Sequence, residues 1–239
     1  MNYQNIKVRG FSLVEMAVVL VILALLLGGL LSPLASQIDQ KNYSEVKRTL
    51  ESSKEALMGY SLSYRHLPCP DKTVGAVNGL NDSPNDGVED FNVAGNCITQ
   101  EGNLPWATLS LNDKDSWNQR LTYRVTSAFS VRAPITPFGL TTNGVLRICN
   151  EAACNAPRLT DNAVAVIVSK GKNMGICTTL PSPPACADER ENDDGDNDFV
   201  SHEQRAGSIA NPNAEYDDVV VWLSSNILIN RMVSAGQLP

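Results

Sequence analysis

Residues 7–31 read KVRGFSLVEMAVVLVILALLLGGLL, and the one acidic residue in this stretch, Glu15, lies near the start of a long apolar run. The run from Phe11 to Leu31 is 21 residues long. As an α-helix it would measure about 31 Å, close to the thickness of a bilayer's hydrocarbon core. An ionised glutamate there costs on the order of 3 kcal/mol, so it normally has a partner. The expected partner is a positive charge created by cutting the chain before Phe11, or the same charge on a neighbouring subunit.

This arrangement resembles the processing motif of type IV prepilins over about the first 30 residues. That motif has a basic leader ending in glycine, then phenylalanine, a short triplet, glutamate and an apolar helix. Gly10, Phe11 and Glu15 occupy these positions here, after Lys7 and Arg9. The resemblance implies cleavage after Gly10 and N-methylation of Phe11 by a prepilin peptidase/N-methyltransferase. It also implies that Glu15 pairs with the α-amino group of a neighbouring subunit during assembly.

Two other interpretations of the N-terminus are weaker. A secretory signal peptide needs a cleavage site after the apolar run, which residues 31–36 offer, but its apolar core is normally shorter and contains no glutamate. An uncleaved membrane anchor leaves Glu15 unexplained. Because the basic residues precede the apolar run, the positive-inside rule predicts a cytoplasmic N-terminus. We therefore expect a single-pass inner-membrane protein with a periplasmic C-terminal domain, which later enters a periplasmic or cell-surface filament.

Four segments are expected, of which the resemblance implies the leader peptide and the assembly role of the apolar helix, and the composition along the chain predicts the rest. They are a leader peptide at 1–10, a transmembrane and assembly helix at 11–33, an amphipathic continuation of that helix at 34–66, and a globular domain at 67–239. In the continuation, apolar residues recur at three- and four-residue spacing, with Ser53 filling the one gap. These residues are Tyr43, Val46, Leu50, Leu57, Tyr60 and Tyr64. Two prolines, Pro68 and Pro70, end the helix because neither can continue it.

The predicted fold class is α+β and pilin-like, with a long N-terminal helix packed on a small antiparallel sheet and long, disulfide-stapled loops. Short runs rich in β-forming residues predict strands at 106–111, 121–126, 145–149, 163–169 and 218–223. A short C-terminal helix is expected after Ser224 or Ser225, ending at Gly236. The polar stretches 70–103 and 181–217 are predicted loops, and loops of that length are usually functional or mobile.

Residues 115–123 read DSWNQRLTY and are similar to an Asp-x-Trp-Gly element of pseudopilins and minor pilins. Asn118 stands where glycine is usual, and asparagine tolerates a left-handed turn. Trp117 and Tyr123 are predicted to pack in the core between the sheet and the long helix.

The six cysteines all follow the apolar run, as expected in an oxidising compartment. Fifteen pairings are possible, and the low cost of closing short loops favours pairing between neighbours in the sequence. The favoured pairs are Cys69–Cys97, Cys149–Cys154 and Cys177–Cys186. A metal site built on these cysteines is disfavoured because no Cys-x-x-Cys pattern occurs.

Residues 192–198 read NDDGDND and place carboxylate and amide oxygens around a glycine turn, which suits calcium. Some secretion pseudopilins carry calcium in a C-terminal acidic loop, so the resemblance supports a site here. A solvated acidic turn without metal is the slightly favoured alternative. If calcium binds, the candidate ligands are Asp194, Asp196 and Asp198, with Asp217 or Asp218 completing the shell.

Charge and motif content limit the remaining classes of function. The formal net charge is −7 without a basic stripe, so the globular domain is not expected to bind nucleic acid. His66 and His202 are the only histidines, and Ser201-His202-Glu203 is a chance neighbourhood rather than a triad, so no enzyme is expected.

The resemblance implies a structural subunit of a type IV pilus or of a type II secretion pseudopilus. Its partners would be other pilin or pseudopilin subunits and an inner-membrane assembly platform. The chain length and the long loops favour a minor, low-copy subunit over the main building block. A tip adhesin or substrate-binding pilin-like protein is the alternative, with the loops 70–103 and 181–217 contacting a ligand.

Overall fold

The computed structural model describes residue 10 and residues 12–75, 83–132, 138–173, 186–205 and 215–238, and at 27–35 it describes the backbone alone. The chain divides into two compact units, Met1–Asn42 and Tyr43–Pro239. In chain order the elements are α1 (Leu13–Tyr64), β1 (Glu101–Asn103), α2 (Trp106–Leu109), β2 (Thr122–Val125), α3 (Ser127–Ser130), β3 (Leu146–Cys149), β4 (Thr160–Ser169), α4 (Ala187–Glu191), β5 (Asp198–Val200), β6 (Val219–Ser224) and α5 (Ser225–Ser234). The α+β class is therefore confirmed.

The first unit contains the N-terminal part of α1, a helix of 52 residues. This helix covers most of the predicted assembly segment 11–33 and of its continuation 34–66. Phe11 lies outside the described residues. As for the membrane span predicted at 11–33, no helix among the described residues is apolar over a length sufficient to cross a membrane.

In the second unit, one face of α1 packs against the sheet. Val46, Leu50 and Leu57 are fully buried at the predicted spacing, in a core shared with β2, β4 and β6. Ser53, the predicted gap in the stripe, is also buried, and its hydroxyl donates a hydrogen bond to a backbone carbonyl one turn earlier. Tyr64 is 60% exposed because it is the last residue of the helix, so its predicted place in the stripe is wrong.

Among the described residues the sheet has six strands and is mixed, whereas the sequence predicts an antiparallel sheet. The strand order is β1-β2-β4-β3-β5, and β6 pairs with β4. All pairs are antiparallel except β3 with β5, which run parallel with Ile148 opposite Phe199. Strands β1 and β5 were not predicted, because each is three residues long and too short to show an alternating pattern. The parallel pairing involves β5, so the prediction of an antiparallel sheet was wrong.

Strand β4 is buried on both faces. Ala165 and Ile167 belong to the core beneath α1, whereas Val166 and Val168 pack in a second cluster with Phe199. A strand covered on both sides reads as a continuous apolar run rather than an alternating one, as the sequence of β4 does. This strand pairs with β2, β3 and β6 and so holds the unit together.

The strand predicted at 106–111 is wrong, since this segment forms the short helix α2. Pro105 precedes the helix, and Ser110 ends it with a left-handed backbone conformation, φ 57°. The Trp106 ring lies against Gly87, which has a φ of 78° and is packed so closely that a Cβ there would overlap the ring. The aromatic and aliphatic residues that resemble a strand therefore serve tertiary packing.

Asp71 fastens the predicted loop 70–103 to the sheet. Its backbone pairs with that of Asn103, and its side chain is fully buried. The carboxylate accepts hydrogen bonds from the Asn85 amide at 2.8 Å, the Gly87 amide at 3.0 Å and the Asn103 side chain at 3.3 Å. Charge-assisted hydrogen bonds of this kind are among the stronger polar interactions in a protein. The described parts of this segment are therefore an ordered part of the fold.

We expect Asp71→Ala to lower the free energy of unfolding by about 3–5 kcal/mol, because it leaves buried backbone donors without an acceptor. Urea titration of the purified full-length protein measures this loss. Asp86→Ala is the matched control, since within the described part of the chain the Asp86 carboxylate accepts one exposed hydrogen bond, from the Val88 amide. It should cost less than about 1 kcal/mol. Equal midpoints for the two variants would contradict the anchoring role of Asp71.

Glu89 joins the same segment to α1. Its carboxylate accepts hydrogen bonds from the Tyr60 hydroxyl at 2.6 Å and the Cys69 amide at 3.1 Å, and it is ion-paired with Arg132 at 2.5 Å. The disulfide Cys69–Cys97 closes the segment on its other side. Glu89 and the disulfide thus fasten residues 83–103 to α1 and to the segment that follows it.

The structure joins Cys69 to Cys97 and Cys149 to Cys154, two of the three neighbouring pairs favoured above. Cys186 is also disulfide-bonded, whereas Cys177, its predicted partner, lies outside the described residues. The predicted loop 181–217 contains two regular elements, α4 and β5.

The DSWNQRLTY segment forms a tight turn followed by β2. Asn118 has a φ of 64°, the left-handed conformation expected at this position. Asp115 holds the turn by accepting hydrogen bonds from the Trp117 and Gln119 amides, both at 2.9 Å. Tyr123 is fully buried, as predicted, and the half-buried Trp117 packs against that core.

Candidate functional site

The first turn of α1 brings Ser12 and Glu15 together. The Ser12 amide donates a hydrogen bond to Glu15 Oε2 at 2.8 Å, and the Glu15 amide donates one to Ser12 Oγ at 3.2 Å. This reciprocal pair is a capping box, in which two backbone donors at the start of a helix find side-chain acceptors. Glu15 therefore has a partner within its own chain, at the helix end where a negative charge is favourable.

This cap was not predicted above, although its signal, Ser-x-x-Glu before an apolar run, is present at residues 12–15. Of the predicted processing and assembly residues, Gly10 and Glu15 are exposed, and Phe11 lies outside the described residues. The structure thus places Glu15 five residues beyond the predicted cleavage position, with its carboxylate accessible at the start of the helix.

The described side chains around and after Glu15, from Leu13 to Leu26, form an apolar surface on every side of the helix. Large aliphatic residues expose roughly half or more of their area, from 48% at Leu23 to 86% at Leu13. A helix that is apolar all round is stable only when other apolar groups cover it. This surface can therefore pack against apolar helices or lipid. Its large members are Leu13, Val14, Met16, Val18, Val19, Leu20, Val21, Ile22, Leu23, Leu25 and Leu26.

The five aspartates predicted as calcium ligands do not form one cluster. Asp198 begins β5 and is ion-paired with Arg147 on the neighbouring strand β3. Asp194 and Asp196 lie on the exposed turn before β5, where the Asp196 amide donates a hydrogen bond to Asp194 Oδ1 at 3.1 Å. Asp198 is therefore neutralised by an arginine of the protein itself, although its amide still donates a hydrogen bond to Asp196 Oδ1 at 2.6 Å.

The acidic residues instead fall into two groups. The exposed acidic group consists of Glu191, Asp194 and Asp196, with one oxygen of each within 4.8 Å of the others. Partial burial and then the charges of the neighbouring aspartates raise the pKa of Glu191 to about 7. The buried acidic group consists of Glu189, Asp217 and Asp218, again with one oxygen of each within 4.8 Å. The sequence gives no sign that Glu189 lies beside Asp217 and Asp218, because only the fold brings α4 next to the residues that precede β6.

The two histidines have ordinary structural partners. His66 is buried, and its Nδ1 lies 2.9 Å from the Leu67 carbonyl oxygen. The His202 ring stacks on Tyr216, with Nε2 3.1 Å from Asp188 Oδ2 and Nδ1 2.7 Å from the Glu203 carbonyl oxygen. Both ring nitrogens of His202 thus contact groups other than the Ser201 hydroxyl.

Comparison with known families identifies the N-terminal segment. Residues 6–31 match the family model of the prokaryotic N-terminal methylation motif, which is the type IV prepilin-type signature. No curated protein and no solved structure matches the chain. The match includes Gly10, the capped first turn of α1 and the start of its apolar surface. The chain therefore carries a type IV prepilin-type N-terminal motif.

Proposed function

We propose that the protein is a minor structural subunit of a type IV pilus or type II secretion pseudopilus. The methylation motif at 6–31 carries this proposal, because it implies processing by prepilin peptidase and assembly with other pilin subunits. Cleavage falls between Gly10 and Phe11, and the Phe11 amine is then methylated. Before assembly, segment 11–33 is anchored in the inner membrane with the N-terminus cytoplasmic and the globular unit periplasmic.

The exposed apolar surface from Leu13 to Leu26 supports an assembly role. In a filament, neighbouring helices cover this surface and exclude water and lipid from it. Glu15 then lies in an apolar environment, where a carboxylate is tolerated only with a compensating charge. The Phe11 amine of an adjacent subunit provides that charge and sets the axial register.

A low-copy role is supported by the amount of ordered structure in the globular unit. Residues 83–103, which Asp71, Glu89 and the Cys69–Cys97 disulfide hold in place, add ordered structure to this unit, and so does the α4–β5 region. Such additions enlarge the subunit surface without lengthening the helix. The role is structural rather than catalytic, and the partners are other subunits and the inner-membrane assembly platform.

Quantitative mass spectrometry of sheared extracellular or periplasmic fibres tests the proposal. We expect this chain in the fibre fraction at less than about one tenth of the main subunit, together with loss or shortening of fibres on its deletion. Absence from fibres made by wild-type cells would reject the assembly role. Equimolar abundance with the main subunit would reject the minor role alone.

A further inference from the structure

His202, which lies just beyond the end of β5, is held between two oxygen atoms. Its Nδ1 is 2.7 Å from the Glu203 carbonyl oxygen, and its Nε2 is 3.1 Å from Asp188 Oδ2. Carbonyl and carboxylate oxygens accept hydrogen bonds and do not donate them. A neutral imidazole has one N–H group, so one of its nitrogens would face an oxygen with no proton between them. Only the imidazolium form, with a proton on each nitrogen, satisfies both contacts.

Asp188 connects three segments of the globular unit. It lies in α4, and its Oδ1 accepts a hydrogen bond from the Ala152 amide at 2.9 Å, within the loop closed by the Cys149–Cys154 disulfide. Its Oδ2 faces His202 and lies 3.5 Å from the Arg205 guanidinium. The side chains of His202 and Asp188 are 20% and 18% exposed, so water only partly screens their interaction. The contact therefore ties α4 to the segment that follows β5.

Aromatic packing keeps the His202 ring at this position. The ring lies on that of Tyr216, with 3.9 Å between the centroids and 34° between the planes. Tyr216 is itself fixed, because it is buried and its hydroxyl donates a hydrogen bond to the Val200 carbonyl at 2.7 Å. A cation against the face of an aromatic ring is electrostatically favourable. The stacking thus favours the protonated ring and aims its nitrogens at the two acceptors.

Other titratable or charged groups also face His202. Arg205 shares the Asp188 carboxylate and opposes a positive charge on the ring. His202 further lines a cleft of about 600 Å³ whose remaining titratable residues are Tyr43 and Lys47 from α1, Glu203 beside it, and Asp218 before β6. The carboxylates favour the imidazolium, and Lys47 opposes it. Among the contacts described for the ring, the carboxylate that reaches a ring nitrogen is that of Asp188, and charge interactions weaken with distance.

We propose that His202 and Asp188 form a pH-dependent latch between α4 and the segment after β5. In acidic medium the imidazolium donates to both oxygens and the latch is closed. When the ring loses a proton, one nitrogen turns a lone pair toward an oxygen, and the ring releases Asp188. Histidine is the side chain that ordinarily changes charge between about pH 5 and 8. Since the contact requires the ring proton, its stabilisation is present at low pH and is lost as the pH rises.

The latch needs a local measurement, because other groups titrate in the same range. Partial burial raises the pKa of Glu191 to about 7, and burial raises that of Asp217 as well. The pH dependence of a melting curve would therefore combine several contributions. The chain has only two histidines, so NMR of the full-length protein in detergent micelles, labelled with ¹⁵N-histidine, resolves two rings. The His202→Gln variant assigns them.

At pH 6 we expect protons on both ring nitrogens of His202. In Asp188→Asn, which keeps an oxygen for the Ala152 amide, the ratio of protonated to neutral ring at pH 7 should fall by about tenfold or more. The His66 signals should not change. Hydrogen exchange gives the second readout, through the Ser201 and Arg205 amides that donate to the Cys149 and Tyr216 carbonyls. Corrected for intrinsic rates, their protection should fall several-fold from pH 6 to 8 in the wild type but not in His202→Gln.

Glu203→Gln is the matched control, because it removes a carboxylate from the same cleft but keeps the backbone carbonyl that contacts the ring. It should change the protonation ratio by less than about threefold, since its charge is not the one in contact with a ring nitrogen. A neutral His202 ring at pH 6, or an Asp188→Asn ratio equal to that of the wild type, would overturn the proposal. So would exchange protection that stays constant while the ring loses its proton.

Discussion

Glu15→Gln is expected to abolish incorporation of the subunit into filaments, even though it preserves the structure of the first helical turn. Glutamine serves at this position of a capping box as glutamate does, so the hydrogen bonds with Ser12 can be kept. The negative charge is lost. If that charge docks onto the Phe11 amine of a neighbour, removing one partner of a buried pair costs about 3–5 kcal/mol. The subunit should fall by about 100-fold or more in sheared fibres, measured by immunoblot against the membrane fraction.

Ser12→Ala is the matched control for this prediction. It removes the Ser12 hydroxyl from the cap but leaves the charge of Glu15 in place, at a cost of about 1 kcal/mol of helix stability. Incorporation should therefore fall only a few-fold. Normal incorporation of Glu15→Gln together with failure of Ser12→Ala would mean that Glu15 acts as a helix cap and not as a docking charge.

Gly10→Val should leave the chain uncleaved and confined to the membrane fraction. A β-branched residue replaces the glycine at the proposed cleavage position, so the peptidase cannot release the Phe11 amine. Lys7 and Arg9 then remain attached, and the apolar surface cannot enter a filament. Intact-mass measurement should show the full 239 residues and no fibre-associated form.

Gly59→Ala is the control for Gly10→Val, because Gly59 lies in α1 with open space around its Cα. This variant should be processed and assembled normally. Cleavage of Gly10→Val at the wild-type position would show that the glycine is not required, and the processing site would then have to be placed elsewhere.

The N-terminal segment could be predicted from the sequence because its signals are local. Charge, glycine, phenylalanine and glutamate occur in a fixed register, and the family match covers the same residues. The amphipathic part of α1 was likewise predictable, since burial of Val46, Leu50 and Leu57 follows helical spacing. The cap between Ser12 and Glu15 is equally local, because the Ser-x-x-Glu spacing before an apolar run specifies it.

The errors in the globular unit share a physical cause, which is that distant contacts decided the local structure. Trp106 has a high strand propensity, but it lies in a helix because its ring packs on Gly87. Strand β5 forms within an acidic segment because its backbone pairs with that of β3. The ion pair between Arg147 and Asp198 also joins the two strands. No window of sequence around either segment contains that information.

Distant contacts also decide which acidic residues lie together. Alternating oxygen ligands suggested that Asp194, Asp196 and Asp198 act together, but Arg147 pairs with Asp198 and the other two stay exposed. Burial, which sequence spacing cannot show, selects Asp217 and Asp218 and adds Glu189. The topology brings these three carboxylates together, so the group becomes visible only in the folded chain.

The N-terminal mass of the wild-type protein, isolated from membranes and from fibres, tests the central claim most directly. Processing as a prepilin predicts a mature chain of 229 residues that begins with an N-methylated Phe11 and contains Glu15 unmodified. A chain that still begins at Met1, or one that begins after residues 31–36, would contradict it.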